Sequence, residues 1–217
     1  STSTCSVTTN AGYTFTGWSG DCSGSGACSL TNVTAAKSVT ASFAPVITSF
    51  SGTTVPPGGA GGPATAQFTG GGPACRFDMA STAFVAAPAA PPPGQLLPQG
   101  MFQFKLIGCD TTPVNMSVTW PKPVSGLTKW GPASAGAPLS YFAPDNLSVS
   151  GNTTSFTVID GQKGDDDWAV NGTIVDPVGP TISAEVAPVP TLSQWALLLL
   201  GLLAAGLGAW GLRRRAC

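Results

Sequence analysis

Gly100-Met101-Phe102-Gln103-Phe104-Lys105-Leu106-Ile107 and, soon after it, Val114-Asn115-Met116-Ser117-Val118-Thr119-Trp120 decide the fold. Both runs alternate large apolar residues with other types, the period of a β-strand with one buried face. Phe102, Phe104 and Leu106 point one way, and so do Val114, Met116, Val118 and Trp120. Two such faces can bury one common core. Thr65–Thr69 and Ser155–Asp160 alternate in the same manner. Strands separated by turn residues at this spacing predict an antiparallel β-sandwich over residues 64–182, in a mostly β chain. Trp120, Trp130, Tyr141 and Phe142 are expected in its core; the competing reading is a sugar-binding aromatic face. No amphipathic helix stands ahead of the C-terminal tail.

Composition narrows the class. Of 217 residues only 9% are charged, against about 25% in an average soluble chain. The 28 Gly and 20 Pro favour turns and short strands over helices. A net charge of −1, with three of the nine basic residues in the tail, offers nucleic acid no basic stripe, so no nucleic-acid partner is expected.

Residues 1–44 form a separate unit. Tyr13-Thr14-Phe15-Thr16-Gly17-Trp18-Ser19-Gly20-Asp21-Cys22 begins as an alternating strand and ends in a turn, and Ser38-Val39-Thr40-Ala41-Ser42-Phe43 alternates again. Tyr13, Phe15, Val39, Ala41 and Phe43 would supply a small core with Trp18 over it. The unit resembles the divergent internalin B-type repeat of bacterial surface proteins. That resemblance implies a small β-rich stalk or spacer module, here lacking its first strands. A unit of this size needs a disulfide or a neighbour to be stable. Ser1-Thr2-Ser3-Thr4 carries neither a basic nor an apolar leader region, which reads as a mature form or a fragment of a longer precursor.

Six cysteines fit an oxidising compartment. Cys22 and Cys28 bracket a flexible Ser-Gly-Ser-Gly-Ala loop and are expected to pair. Cys75 and Cys109 are the second expected pair, and Cys5 has no evident mate. The competing reading, a zinc site, lacks ligands in a chain with no histidine. Residues 45–63, ending in Pro56-Pro57-Gly58-Gly59-Ala60-Gly61-Gly62-Pro63, read as a linker. Pro88–Pro98 reads as a loop of polyproline character.

The large central region resembles the choice-of-anchor U domain. The residues that carry the likeness are Gly100-Met101-Phe102 with Phe104, Gly108-Cys109, Lys129-Trp130-Gly131-Pro132, Asp160-Gly161 with Gly164-Asp165-Asp166-Asp167, and Asn171-Gly172 through Pro180. The resemblance implies a display module followed by a C-terminal anchor, with no established activity.

Such a tail follows, in residues 183–217. Val189-Pro190-Thr191-Leu192-Ser193-Gln194-Trp195 precedes the uncharged run Ala196–Leu212 and then Arg213, Arg214 and Arg215. Residues 192–212 would span about 30 Å as a helix, the thickness of a bilayer's hydrocarbon core. The arginines act as a cytoplasmic stop and place the body of the chain outside the cytoplasm. This order resembles the IPTL-CTERM sorting signal of Gram-negative bacteria, with Val189 in place of the usual Ile. The resemblance implies an exosortase-like membrane enzyme as the processing partner.

The dense cluster of ligating groups is Asp160, Asp165, Asp166, Asp167, Asn171 and Asp176. Asp160, Asp165, Asp167, Asn171 and Asp176 are candidate calcium ligands, since hard cations take closely spaced carboxylate oxygens. The competing reading is an acidic turn whose carboxylates cap backbone amides. Without histidine, Ser-His-Asp and Cys-His catalysis are excluded. The expected role is structural or adhesive display at the bacterial surface. A calcium-stabilised glycan- or protein-binding module and an envelope hydrolase are the alternatives.

Overall fold

The computed structural model describes residues 1–183 and Leu202. Sixteen strands follow one another among the described residues. They are β1 (Ser3–Cys5), β2 (Tyr13–Gly20), β3 (Cys28–Leu30), β4 (Val39–Pro45), β5 (Ser49–Thr53), β6 (Pro63–Gly70), β7 (Arg76–Phe77) and β8 (Ala83–Val85). After them come β9 (Gln95–Leu96), β10 (Met101–Ile107), β11 (Val114–Thr119), β12 (Gly126–Pro132), β13 (Leu139–Phe142), β14 (Asp145–Ser150), β15 (Thr153–Val158) and β16 (Thr173–Ser183). Every pairing is antiparallel.

Two large sheets share one core. One runs β14-β15-β11-β6-β5; the other runs β13-β12-β16-β10-β7, with β8 also on β10 and β9 on β16. The alternating runs of β10 and β11 fall on opposite sheets and point at each other, as their period requires. Phe102, Phe104 and Leu106 from one sheet join Val114, Met116, Val118, Phe68 and Phe156 from the other, all buried. Phe102 is the hub, with ring contacts to Phe50, Phe77, Phe84 and Phe104 at 4.8–6.2 Å between centroids. Trp120 is buried in this core, and its indole N–H donates to Thr154 Oγ1 at 3.0 Å. Trp130 and Tyr141 differ from the expectation: they are half-buried register partners, 4.7 Å between ring centroids. Trp130 alternates with the buried Lys129 and so lies on the outer face of its sheet.

The longest strand, β16, occupies the middle of its sheet despite Pro177 and Pro180. Backbone parity explains this. Val175 N–H donates to Asp165 and Val175 C=O accepts from Asp166, so residues 175 and 177 turn their backbone groups away from β10. Pro177 therefore removes no donor from the β10 ladder. The β12 ladder ends at Lys129↔Val178, just short of it.

The stretch read as a linker, residues 45–63, is corrected in part. Ser49–Thr53 is an edge strand on β6, and Phe50 packs against the core. Pro56–Gly62 turns as its composition demands.

In the N-terminal unit β2 pairs with β4, and β1 with β3. A bulge between Phe15 and Gly17 inserts Thr16. The extra residue brings Trp18 onto the face of Phe15, with 5.1 Å between ring centroids. The expected core is shallower than its alternation implies: Tyr13 and Phe43 are 52% and 43% exposed. Disulfides join Cys22 to Cys28 and Cys75 to Cys109, while Cys5 has no disulfide partner among the described residues. The span 192–212 lies outside the described residues, Leu202 apart.

Truncating the hub tests the shared core. Phe102→Ala is expected to cost about 3–5 kcal/mol of unfolding free energy, read as a lower urea midpoint.

Candidate functional site: a buried lysine–aspartate pair beneath an acidic turn

Lys129 on β12 and Asp176 on β16 point into the space between the sheets. Residues 127, 129 and 131 share one face of β12, and 174, 176 and 178 share one face of β16. Leu127, Ile174 and Val178 on those faces belong to the hydrophobic core. Lys129 and Asp176 stand among them with side chains 1% exposed, and Lys129 Nζ donates to Asp176 Oδ2 in direct contact. Their surroundings are apolar. Nζ lies 4.7 Å from the centroid of the Phe156 ring, and Phe104 is the register partner of Asp176 on β10. Among the described residues, Asp176 Oδ1 is buried with no hydrogen-bond partner, as is Asp160 Oδ1.

The segment between β15 and β16 closes this end of the core. Three successive turns wind it: Gln162 N–H to Ile159 C=O, Asp165 N–H to Gln162 C=O, and Trp168 N–H to Asp165 C=O. Trp168 holds a left-handed φ of 56°, rare for a bulky residue, and its indole N–H donates to Pro132 C=O at 3.2 Å. The segment is thereby pinned to the end of β12. Gly164, with φ of 97°, passes so close to Lys129 Nζ that a Cβ there would collide with it.

The predicted calcium ligands are divided between two environments. Asp160, Asp165 and Asp176 are buried, whereas Asp167 and Asn171 are exposed. Most of these carboxylate oxygens accept hydrogen bonds from the protein, Asp160 Oδ1 and Asp176 Oδ1 excepted. Asp165 accepts from Gly161 N–H and Val175 N–H, and Asp160 accepts from Gly172 N–H at 2.8 Å. Asp167 accepts from Ala169 N–H and from Asn171 Nδ2, and Asn171 Oδ1 from Thr173 N–H. These are the bonds of a turn whose side chains cap its own amides. Among the described residues no group of three or more His, Cys, Asp or Glu side chains is arranged to hold a metal ion.

Asp166 differs from its neighbours. It is half-buried, its carboxyl lies against Gly131, and that carboxyl accepts no hydrogen bond among the described residues. Burial pushes Asp165 up to about 6, reinforced by Asp167 and Asp160 and offset by its two backbone donors. Burial likewise pushes Asp166 up to about 6, with Asp165 and Asp167 adding to the rise and Lys129 opposing it. Asp176 is raised to about 7 by complete burial, which the adjoining Lys129 offsets only in part.

Lys129 was missing from the predicted site, and Asp166 stood in the aspartate cluster without being assigned as a ligand. A signal for Lys129 was present: a lone lysine inside Leu127-Thr128-Lys129-Trp130, in a chain with few charges. Elsewhere, an apolar groove of 680 Å³ lined by Pro57, Ala87, Leu96 and Pro98 holds no titratable or nucleophilic side chain.

Comparison with known proteins bears on the two ends of the chain. Residues 1–47 match the family model for a divergent InlB B-repeat domain. Residues 187–215 match the model for the IPTL-CTERM motif. No curated protein and no solved structure matches the chain. The IPTL-CTERM motif is a C-terminal sorting signal, and it marks a protein of the cell envelope or surface.

The raised acids set a pH dependence. The folded state holds protons that the unfolded chain gives up at the ordinary carboxylate value. The associated stability is complete below about 4 and is lost as pH rises through about 6. The melting temperature is expected to be higher at pH 5 than at pH 8 by scanning calorimetry; an inverted profile would contradict the assignment. Gly164→Ala, which drives a Cβ into Lys129 in a left-handed backbone, is expected to cost on the order of 1–3 kcal/mol by urea titration.

Proposed function

We propose that this chain is an exported envelope protein that presents a rigid β-domain at the bacterial surface, in a structural or adhesive role. The observation that carries the reading is the sorting motif over residues 187–215, standing directly behind disulfide-bonded β units. Disulfides persist where the environment is oxidising, outside the cytoplasm. The divergent B-repeat at the other end supports a surface address.

In this reading residues 192–212 cross the inner membrane as a helix, and Arg213, Arg214 and Arg215 stay on the cytoplasmic side. The Pro190-Thr191 region then faces an exosortase-like processing enzyme on the outer side, and this chain is its substrate. The central β-domain serves as a choice-of-anchor U-like display module, on the strength of its Asp160–Pro180 segment. The host class is Gram-negative, as the sorting system implies. The lysine–aspartate pair is only 1% exposed, which favours a structural part over turnover of a substrate.

Mass spectrometry of the C-terminus of the protein from its native cells tests the reading. A mature chain ending near Val189 is the expected outcome. An intact terminus containing Arg213 would mean a permanent anchor in place of sorting. Removal of residues 187–217 is expected to release the body into the soluble periplasmic or secreted fraction. Retention in the membrane after that deletion would overturn the assigned role of the tail.

A further inference from the structure

We propose that Lys129 and Asp176 condense into an intramolecular amide, Nζ to Cγ, which ties β12 covalently to β16. The inference goes beyond the reading of the chain as a surface protein and does not depend on it.

The geometry points to this reaction. Lys129 and Val178 are register partners on adjacent strands, so Asp176, two residues along, is the diagonal neighbour on the same face. Nζ and Oδ2 are in contact, and both side chains are 1% exposed. Phe104, Phe156 and Val158 stand around them in the core, and Gly164 has no side chain to hold the amine off. A salt bridge this deep is withdrawn from bulk solvent, and desolvation erodes its Coulombic gain. Transfer of one proton from the ammonium to the carboxylate gives a neutral amine and a neutral acid, the forms an apolar site favours. The orphaned Oδ1 shows that the carboxylate is poorly served as an anion. A neutral amine held against a neutral carboxyl is placed for attack, with the entropic cost of encounter already met by the fold.

The step balances without an oxidant or a cofactor. The ammonium first gives one proton to the carboxylate. Nζ then attacks Cγ and the N–C bond forms. A second proton leaves nitrogen and passes to the departing hydroxyl, the C–O bond breaks, and one water is lost. The product nitrogen keeps a single hydrogen. Asp166 is the acid assigned to relay that second proton. Its carboxyl lies over Gly131, on the face of β12 that carries Lys129, and its backbone N–H bonds Val175, the residue next to Asp176. Asp165 and Asp167 have both oxygens occupied, whereas the Asp166 carboxyl is uncommitted.

The full-length protein, purified in detergent, is reduced, alkylated, denatured and digested for tandem mass spectrometry. The expected result is a branched peptide containing Lys129 and Asp176, lighter by one water than the sum of its two arms, with no tryptic cleavage after Lys129. This readout does not involve the tail, so it stands or falls separately from the sorting reading. Linear peptides with cleavage after Lys129, from material whose two disulfides had formed, would overturn the proposal. So would a water loss confined to a succinimide at Asp160-Gly161. Lys129→Arg and Asp176→Ala are expected to abolish the branched peptide. Asp166→Ala is expected to slow its appearance after refolding on the order of a hundredfold. An unchanged rate in that variant would remove Asp166 from the step.

Discussion

The structure depends on one constraint: the apolar faces of two antiparallel sheets must be covered by each other. Fewer than one residue in ten is charged, and the aromatic rings gathered around Phe102 fill the gap. The disulfide from Cys75 to Cys109 is part of the core, and the wound segment after β15 closes one end of it over Lys129. The small N-terminal unit has no such core, and its Cys22–Cys28 bridge and the Phe15–Trp18 contact take on proportionally more of the stabilisation.

Within that apolar interior the Lys129–Asp176 pair is an exception that the fold has to accommodate. Replacing a buried ion pair by packed hydrocarbon is often neutral or stabilising, so stability alone gives little reason to keep it. The surrounding turn is specialised for its presence. Gly164 leaves space for the ammonium, Trp168 accepts a left-handed backbone to pin the segment, and Asp165 bridges the segment to the Val175 N–H of β16. Several local costs converge on one place, which is the pattern expected of a site with a purpose beyond packing.

Legibility in the sequence followed the clarity of the physical signal. β10, β11 and β15 were readable because their large apolar residues alternate cleanly. Both disulfides were readable from cysteine placement. β16 was not, because Pro177, Gly179 and Pro180 normally argue against a central strand; its tolerance of them depends on which way each backbone group turns. β5 was hidden because Phe50 is its single large apolar residue. The aspartates of the turn were visible as a cluster, but their division between buried and exposed positions is set by tertiary packing. Lys129 was unreadable as a partner of Asp176 for the same reason: the two are 47 positions apart and meet only when β12 and β16 pair.

The position of β16 has a kinetic corollary. It is the last of the described strands in the chain yet sits between β12 and β10. Until residues 173–183 are available, the larger sheet lacks its middle and its two halves have nothing to register against. A polypeptide threading through a narrow pore in order from its N-terminus would thus stay loose and deliverable for most of its passage. It would lock only when the final strand slides into the slot left for it.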